Sequence, residues 1–325
     1  MPRAINVLAL DGGGIRGIIA AHLLQALSQR AGAPPHQLFD LIAGTSTGGI
    51  IALGVGAAVR DGAPAETSEL LDLYMSEGPR IFARHWYTGM TQYLRPKYSP
   101  RPLEAVLAKF FGEARLAGAL TPLLIASYDL RSQQPFFFKS HRIAADASYD
   151  WPLRLVARAT SAAPTYFPPL LAARGPAQYA FVDGGILANN PAMAAYAEAR
   201  RLYPGAAAIN LIAIGTGDRF DALPVRPARR WGLLQWARQI VPVMMDSVSE
   251  GVDYELREVL RPPLAGAFFR LQPQLQRASP AMDDVSPANL RHLADDARRF
   301  LEEQAPLVAQ AAAALAPRGA GAAGG

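Results

Sequence analysis

Residues 40–53 read Asp40-Leu41-Ile42-Ala43-Gly44-Thr45-Ser46-Thr47-Gly48-Gly49-Ile50-Ile51-Ala52-Leu53. An apolar run of strand length is followed by a glycine-rich turn and then by an apolar run of helical character. At its centre is the pattern Gly-x-Ser-x-Gly, whose small residues let a serine lie on a tight strand-to-helix turn with its Oγ exposed. A glycine-rich packing turn would produce the same five residues, so the pattern alone leaves both interpretations open.

A second glycine-rich segment lies nearer the amino terminus. The strand-like residues 5–10 lead into Asp11-Gly12-Gly13-Gly14-Ile15-Arg16-Gly17. Consecutive glycines bring backbone N–H groups close to a ligand, at the positive end of the helix that follows. Such a loop serves as a phosphate cradle or as an oxyanion hole. It also matches the dinucleotide fingerprint, but the acid expected at the end of the next strand is misplaced, because Asp40 precedes that strand.

A third segment contains an isolated acid followed by two glycines. Residues 180–191 read Ala180-Phe181-Val182-Asp183-Gly184-Gly185-Ile186-Leu187-Ala188-Asn189-Asn190-Pro191. Phe181 and Val182 are typical of the end of a buried strand, which would place Asp183 at the sheet edge where open α/β sheets carry their sites. Alternatively, Asp183 only starts a turn, and Asn190 caps a helix that begins at Pro191.

A serine nucleophile needs a base, and histidine is the usual one. None of the five histidines lies in a glycine-flanked loop; they are His22, His36, His85, His141 and His292. His292 follows Ser46 and Asp183 in the order expected of a triad, but it falls within a predicted helix. Asp183 is therefore the candidate base, acting directly on Ser46. A carboxylate with its ordinary pKa of about 4 is a poor base, so the site must desolvate it or stabilise the oxyanion strongly.

Along the whole chain, strand-length apolar runs alternate with segments of helical period. This predicts an α/β fold of three layers, with a largely parallel central sheet and helices on both faces. Strands are predicted at 5–10, 41–43, 123–128, 180–182 and 209–214. Helices are predicted at 18–30, 49–60, 69–81, 102–111, 152–160, 191–201 and 287–303. Residues 1–308 form one predicted domain, and the Ala- and Gly-rich residues 309–325 form a predicted flexible tail.

Composition excludes several classes of protein. The chain has 325 residues, of which 50% are hydrophobic, enough for a large core and too many for a disordered chain. The absence of Cys excludes a thiolate nucleophile and Cys-ligated metal sites and favours the cytoplasm. Arg residues are scattered and form no basic stripe, so the net charge of +5 does not predict nucleic-acid binding. No secretory signal or membrane span is predicted, so membrane contact would be peripheral.

Taken together, the three segments resemble the patatin-like phospholipases, and the similarity extends over about residues 7–303. The resemblance implies a modified α/β-hydrolase sheet, with Ser46 as nucleophile, Asp183 as base and the amides of Gly12, Gly13 and Gly14 as the oxyanion hole. Supporting residues are Arg16, which holds the loop or attracts a phosphate headgroup, and Gly44, Gly48, Gly184 and Gly185.

The implied reaction is hydrolysis of glycerolipid esters through an acyl-enzyme, as in a phospholipase A, without a cofactor, a metal or calcium. The expected partners are a phospholipid or other acyl lipid and, transiently, the membrane surface. Residues 80–87 and 229–238 mix basic and aromatic side chains, as docking segments do, although such residues also pack at the rim of a core. A lipid-binding or storage protein without turnover and a nucleotide-binding oxidoreductase stay open as alternatives.

Overall fold

The computed structural model describes residues 3–83, 95–219, 225–261 and 266–315. Its strands are β1 (Ala4–Leu10), β2 (Leu41–Thr45), β3 (Leu123–Asp129), β4 (Gln134–Lys139), β5 (Leu170–Arg174), β6 (Ala177–Asp183), β7 (Ala208–Ile214) and β8 (Gly266–Leu271). They form one eight-stranded sheet with the order β5-β6-β3-β2-β1-β7-β8, and β4 pairs with β3. The five strands β3, β2, β1, β7 and β8 run parallel, whereas β4, β5 and β6 are antiparallel to their neighbours.

Helices cover both faces of this sheet. They are α1 (Gly17–Ala31), α2 (Pro35–Leu38), α3 (Thr47–Gly56), α4 (Thr67–Ile81), α5 (Pro100–Phe111), α6 (Leu153–Thr160), α7 (Gly185–Ala188), α8 (Ala192–Leu202), α9 (Val225–Ala228), α10 (Leu233–Val259), α11 (Pro287–Glu303) and α12 (Ala305–Ala314). In β1, Leu8 and Leu10 join one core cluster, whereas Val7 and Ala9 join another on the opposite face. A strand that alternates between two apolar faces must be covered on both. The predicted three-layer α/β fold is therefore confirmed.

The elements that the sequence pattern missed are mainly at the margins of the sheet. Strands β4 and β5 were not predicted, and each is partly exposed along its length. Such strands lack the continuous apolar run by which a buried parallel strand is recognised. The pattern also missed β8 and the long helix α10. All seven predicted helices are present, although the one predicted at 49–60 spans Thr47–Gly56.

The carboxyl-terminal boundary predicted at residue 308 is wrong. Helix α12 continues through it from Ala305 to Ala314, and Val308, Ala311 and Leu315 are buried in the same core as α1 and α11. The flexible tail predicted from Ala309 therefore does not begin there, because these small apolar residues pack instead of fraying. The last ten residues, 316–325, lie outside the described part of the chain.

The register of β3 brings two distant parts of the chain together. On one side of β3, Thr45 of β2 pairs with Ala126 of β3. On the other side, Asp183 of β6 pairs with Ser127 of β3. The residue that follows Thr45 therefore emerges at the same level of the sheet as Asp183. This level lies toward the carboxyl ends of the parallel strands, where α/β sheets carry their sites.

Candidate active site

Ser46 occupies a sharp turn between β2 and α3. Its backbone has φ 55° and ψ −121°, a conformation that an L residue rarely adopts and that costs on the order of 1–3 kcal/mol. The turn also needs a close approach of the backbone, since a Cβ at Gly48 would lie 2.2 Å from the Leu10 carbonyl oxygen. A Cβ at Gly44 would lie 2.3 Å from the Gly48 carbonyl oxygen. This strained strand-to-helix turn, here called the elbow, has the geometry that the sequence predicts for residues 44–48.

Asp183 contacts Ser46 directly. The Ser46 hydroxyl donates to Oδ2 of Asp183 at 2.7 Å, and the Gly185 N–H donates to Oδ1, also at 2.7 Å. Asp183 is only 4% exposed, and burial raises the pKa of its carboxyl group to about 6, although the bonds from Ser46 and Gly185 lower it. Gly184 lets the chain turn against β3, because a Cβ there would lie 2.5 Å from the Ala126 carbonyl oxygen. The structure thus brings together a serine hydroxyl and an unusually basic carboxylate.

Sequence reasoning missed the threonine that holds this elbow. Thr160, the last residue of α6, accepts a hydrogen bond from the Ser46 N–H at 2.8 Å through its Oγ1. The same hydroxyl donates to the Ala126 carbonyl oxygen at 2.6 Å, which ties the elbow to β3. The available signal was a polar Thr160-Ser161 pair at the end of an otherwise amphipathic helix, but nothing local in that pair points to Ser46.

The glycine-rich loop after β1 lies beside the elbow. A Cβ at Gly12 would lie 3.3 Å from the Ser46 Cβ, so the loop faces the serine side chain. The Gly12 N–H donates to the Asn189 carbonyl oxygen at 3.0 Å. This N–H is therefore not available as one of the three oxyanion-hole donors that the sequence predicts. Among the described residues the N–H groups of Gly13 and Gly14 have no acceptor. Gly14 adopts φ 58°, which favours glycine.

Arg16 holds this loop against the end of β7. One guanidinium nitrogen, Nη1, donates to the Gly217 carbonyl oxygen at 3.0 Å. Burial lowers the pKa of Arg16, against the opposing effect of Asp218 and Asp246. The hydrogen bond ties the glycine-rich loop to the segment that follows β7.

Other residues considered as site components lie elsewhere. Asp40, the acid tested for a ribose, is bound at 2.5 Å by Arg3 before β2, at the opposite end of that strand from Ser46. His141 is hydrogen-bonded to Glu198 at 2.8 Å. In the described ranges no histidine contacts Ser46 or Asp183, and His85 lies outside them.

Helices α7 and α10 carry exposed apolar side chains. Ile186, three residues beyond the acid, is 51% exposed, and Met244 and Val248 of α10 are also exposed. Of the predicted docking segments, Trp231 and Trp236 pack edge to face at 5.3 Å, with Trp236 exposed. Much of residues 80–87 lies outside the described part.

Two structural features are absent from the described residues. They contain no helix that is both long and apolar enough to cross a bilayer. Nor do they contain a group of three or more His, Cys, Asp and Glu side chains arranged to hold a metal ion.

The chain is similar in sequence to members of one known protein family. A family model described as patatin-like phospholipase matches residues 8–196. Patatin-like protein 1 of Oryza sativa subsp. indica is 30% identical over 92% of this chain and 82% of its own length. Patatin group J-1 of Solanum tuberosum is 31% identical over 92% of this chain and 84% of its own. Another relative from the same plant, named probable inactive patatin-3-Kuras 1, is 30% identical over 88% of this chain and 83% of its own.

A solved structure with similarity is VipD from Legionella pneumophila. It has a TM-score of 0.40 and 15% identity, and the match covers 93% of this chain and 67% of that one.

Proposed function

The chain belongs to the patatin-like phospholipase family, a family of lipid acyl hydrolases, and we propose that it cleaves carboxylic esters of membrane glycerolipids as a phospholipase A. The observation that carries this proposal is the 2.7 Å hydrogen bond from the Ser46 hydroxyl to Asp183. Family membership alone does not decide activity, because one similar protein is named probable inactive. The intact pair of serine and carboxylate therefore supports turnover over a storage or lipid-binding role.

In the proposed reaction, Ser46 Oγ attacks the acyl carbonyl carbon while Asp183 Oδ2 takes the hydroxyl proton. The carbonyl oxygen becomes an oxyanion that accepts hydrogen bonds from the Gly13 and Gly14 amides. When the intermediate collapses, the ester C–O bond breaks and Asp183 returns its proton to the leaving alcohol. Water, deprotonated by Asp183, then attacks the acyl-enzyme; the bond between the acyl carbon and Ser46 Oγ breaks, Asp183 returns the proton to Oγ, and the fatty acid is released.

The surroundings of Asp183 make this direct proton transfer feasible. A carboxylate paired with a cation would be stabilised in its charged form and would be a weak base. Asp183 is instead buried, with a hydroxyl and an amide as its hydrogen-bond donors, and burial raises its pKa to about 6. Because this pKa is closer to neutral pH than the pKa of an ordinary carboxyl group, Asp183 is a more effective general base.

The exposed apolar side chain of Ile186, three residues beyond Asp183, is compatible with a lipid substrate and with transient membrane contact. Acyl chains of a glycerolipid would then reach Ser46 without the protein entering the bilayer.

The test is labelling of the purified protein with a fluorophosphonate, followed by assays of phospholipid vesicles and mass spectrometry. We expect one adduct on Ser46, release of fatty acid, and loss of both in Ser46→Ala. A chelator should leave the rate unchanged, because the mechanism uses no calcium. Labelling of a different serine, or a strict calcium requirement, would contradict the mechanism. Folded protein that binds lipid without releasing fatty acid would favour the storage alternative, and a bound nucleotide would favour the oxidoreductase.

A further inference from the structure

A buried arginine links the glycine-rich loop to the far end of the sheet. Arg270 lies on β8, opposite Ala213 of β7. Its Nη2 donates to Oδ2 of Asp11 at 2.6 Å, and Asp11 is the first residue of the loop that carries Gly12, Gly13 and Gly14. The backbone N–H of Asp11 also donates to the Ile214 carbonyl oxygen at 3.0 Å. The start of the loop is thus held by β7 through its backbone and by β8 through its side chain.

Through Asp253, the same guanidinium is linked to the segment that follows Asp183. Its Nε lies 2.9 Å from Oδ2 of Asp253 on α10. The other oxygen of Asp253 accepts a hydrogen bond from Asn190 Nδ2 at 2.8 Å. Asn190 Oδ1 in turn accepts from the Ala192 N–H at 3.1 Å, so Asn190 joins the first residue of α8 to this chain of contacts.

The chain Asp11–Arg270–Asp253–Asn190 is closed by a direct contact between the two loops. This contact is the bond from the Gly12 N–H to the Asn189 carbonyl oxygen at 3.0 Å. A shift of Asp11 relative to Asn190 would therefore move Gly12 and the two glycines after it with respect to Ser46. Donors of an oxyanion hole must lie within a few tenths of an ångström of their positions, and a misplacement of about 1 Å can cost about 100-fold in rate.

The charges in this chain are buried and of opposite sign, although burial still raises the pKa of Asp11 to about 6 despite the contact with Arg270. Arg270 is 6% exposed and Asp11 3%. Burial opposes the charge on Arg270, but the carboxylates of Asp11 and Asp253 outweigh that effect and raise the pKa of Arg270. A buried ion pair often stabilises a fold no better than apolar packing would, so stability alone does not account for its presence.

We propose that Arg270 is a positioning residue, which sets the glycine-rich loop relative to the Asp183 loop and so places the Gly13 and Gly14 amides for the oxyanion. This inference rests on the proposed ester hydrolysis. It assigns Arg270 no contact with substrate. Asp253 acts together with Arg270, because one of its carboxylate oxygens contacts Arg270 and the other accepts a hydrogen bond from Asn190.

The experiment compares kcat, KM and thermal midpoint for Arg270→Gln, Arg270→Lys and a control, Lys139→Gln. Lys139 Nζ contacts the buried Glu198 at 2.7 Å near the start of β3, away from Ser46, so its loss removes a comparable ion pair. We expect Arg270→Gln to lower kcat by about 10- to 100-fold with KM nearly unchanged. Arg270→Lys keeps one charge but cannot hold both carboxylates, so it should recover part of kcat. The control should lose stability and keep kcat.

Labelling of Ser46 by the fluorophosphonate gives a second readout, because the phosphonyl oxygen uses the same amides. The labelling rate should fall in parallel with kcat. If the Arg270 variants do not fold, Asp253→Asn decides the question, since it keeps a hydrogen-bond acceptor and should lower kcat below that of Lys139→Gln with KM nearly unchanged.

Two failures are distinguishable. Wild-type protein without ester hydrolysis would overturn the proposed function and this inference together. Active wild-type protein whose folded Arg270 or Asp253 variants match Lys139→Gln in kcat and labelling rate would overturn the inference alone.

Discussion

Two buried carboxylates in this protein have opposite surroundings. Asp183, at the end of β6, is contacted by a hydroxyl and an amide, and burial raises its pKa to about 6. Glu198, on α8, contacts Lys139, His141 and Arg201. There burial also opposes the charge, but the hydrogen bonds from Arg201 and Lys139 lower the pKa of Glu198 to about 2.

The difference separates a reactive group from a structural one. Glu198 is so well compensated that it holds no proton at neutral pH and cannot take one from a substrate. Asp183 is buried with little compensation, which is unfavourable for folding but favourable for proton transfer. Functional sites often combine these two properties, because groups with raised pKa values are the useful bases.

The largest expected effect is on activity. Asp183→Asn should lower kcat by roughly 10⁴-fold or more, because the base is removed while the shape is kept. Glu198→Gln also removes the charge of a buried carboxylate. It should leave kcat within about twofold of wild type, because Glu198 does not contact the reacting groups. The measurement is steady-state hydrolysis of a chromogenic ester. Equal losses of kcat in the two variants would show that Asp183 and Glu198 do not differ in their role in the reaction.

A smaller loss is expected at the oxyanion hole. A Cβ at Gly13 would lie 2.2 Å from Thr216 Oγ1, so Gly13→Ala must displace the loop. Loss of one donor costs about 100- to 1000-fold in kcat. Gly205→Ala is the control, because a Cβ there meets no atom within 4 Å. Normal kcat in a folded Gly13→Ala variant would show that this loop does not hold the oxyanion.

The pH dependence of the rate tests the raised pKa of Asp183. The base works as a carboxylate, so kcat/KM should rise with pH and level off above about 6. Below that value each pH unit should cost about tenfold. A pH profile on a neutral ester, checked for folding by circular dichroism, provides the measurement. A plateau extending down to pH 4 would contradict a basic Asp183.

The smallest effect is on stability, and its sign should differ between the two carboxylates. The folded pKa of Asp183 lies above its ordinary 3.8, so stability is lost as pH rises through about 6. At pH 8, Asp183→Asn should therefore add about 1–3 kcal/mol to the free energy of unfolding.

For Glu198 the sign is reversed. Its folded pKa is below the ordinary 4.5, so its contribution is present above that pH and is lost toward pH 2. At pH 8, Glu198→Gln should remove about 1–3 kcal/mol. Urea unfolding of both variants at pH 8 measures the difference, and a change of the same sign in both would refute it.

Much of the fold was predictable from local patterns. The runs of apolar residues predicted the five central strands of the sheet, including the parallel strands β1 and β7, because buried strands carry continuous apolar runs. Partly exposed strands such as β5 carry no such run and were missed. The tail was misjudged at Ala309, since Ala-rich residues are equally compatible with fraying and with packing on a core.

The sequence by itself determined the local chemistry of this protein: a serine at a tight turn, a glycine-rich loop and an acid after a strand. Only the tertiary structure decided which of these groups meet. Ser46 and Asp183 are 137 residues apart, Ser46 and Thr160 are 114 apart, and Asp11 and Arg270 are 259 apart. A short pattern constrains the backbone of its own residues, whereas strand order and register, set by burial of the whole sheet, decide which distant side chains touch.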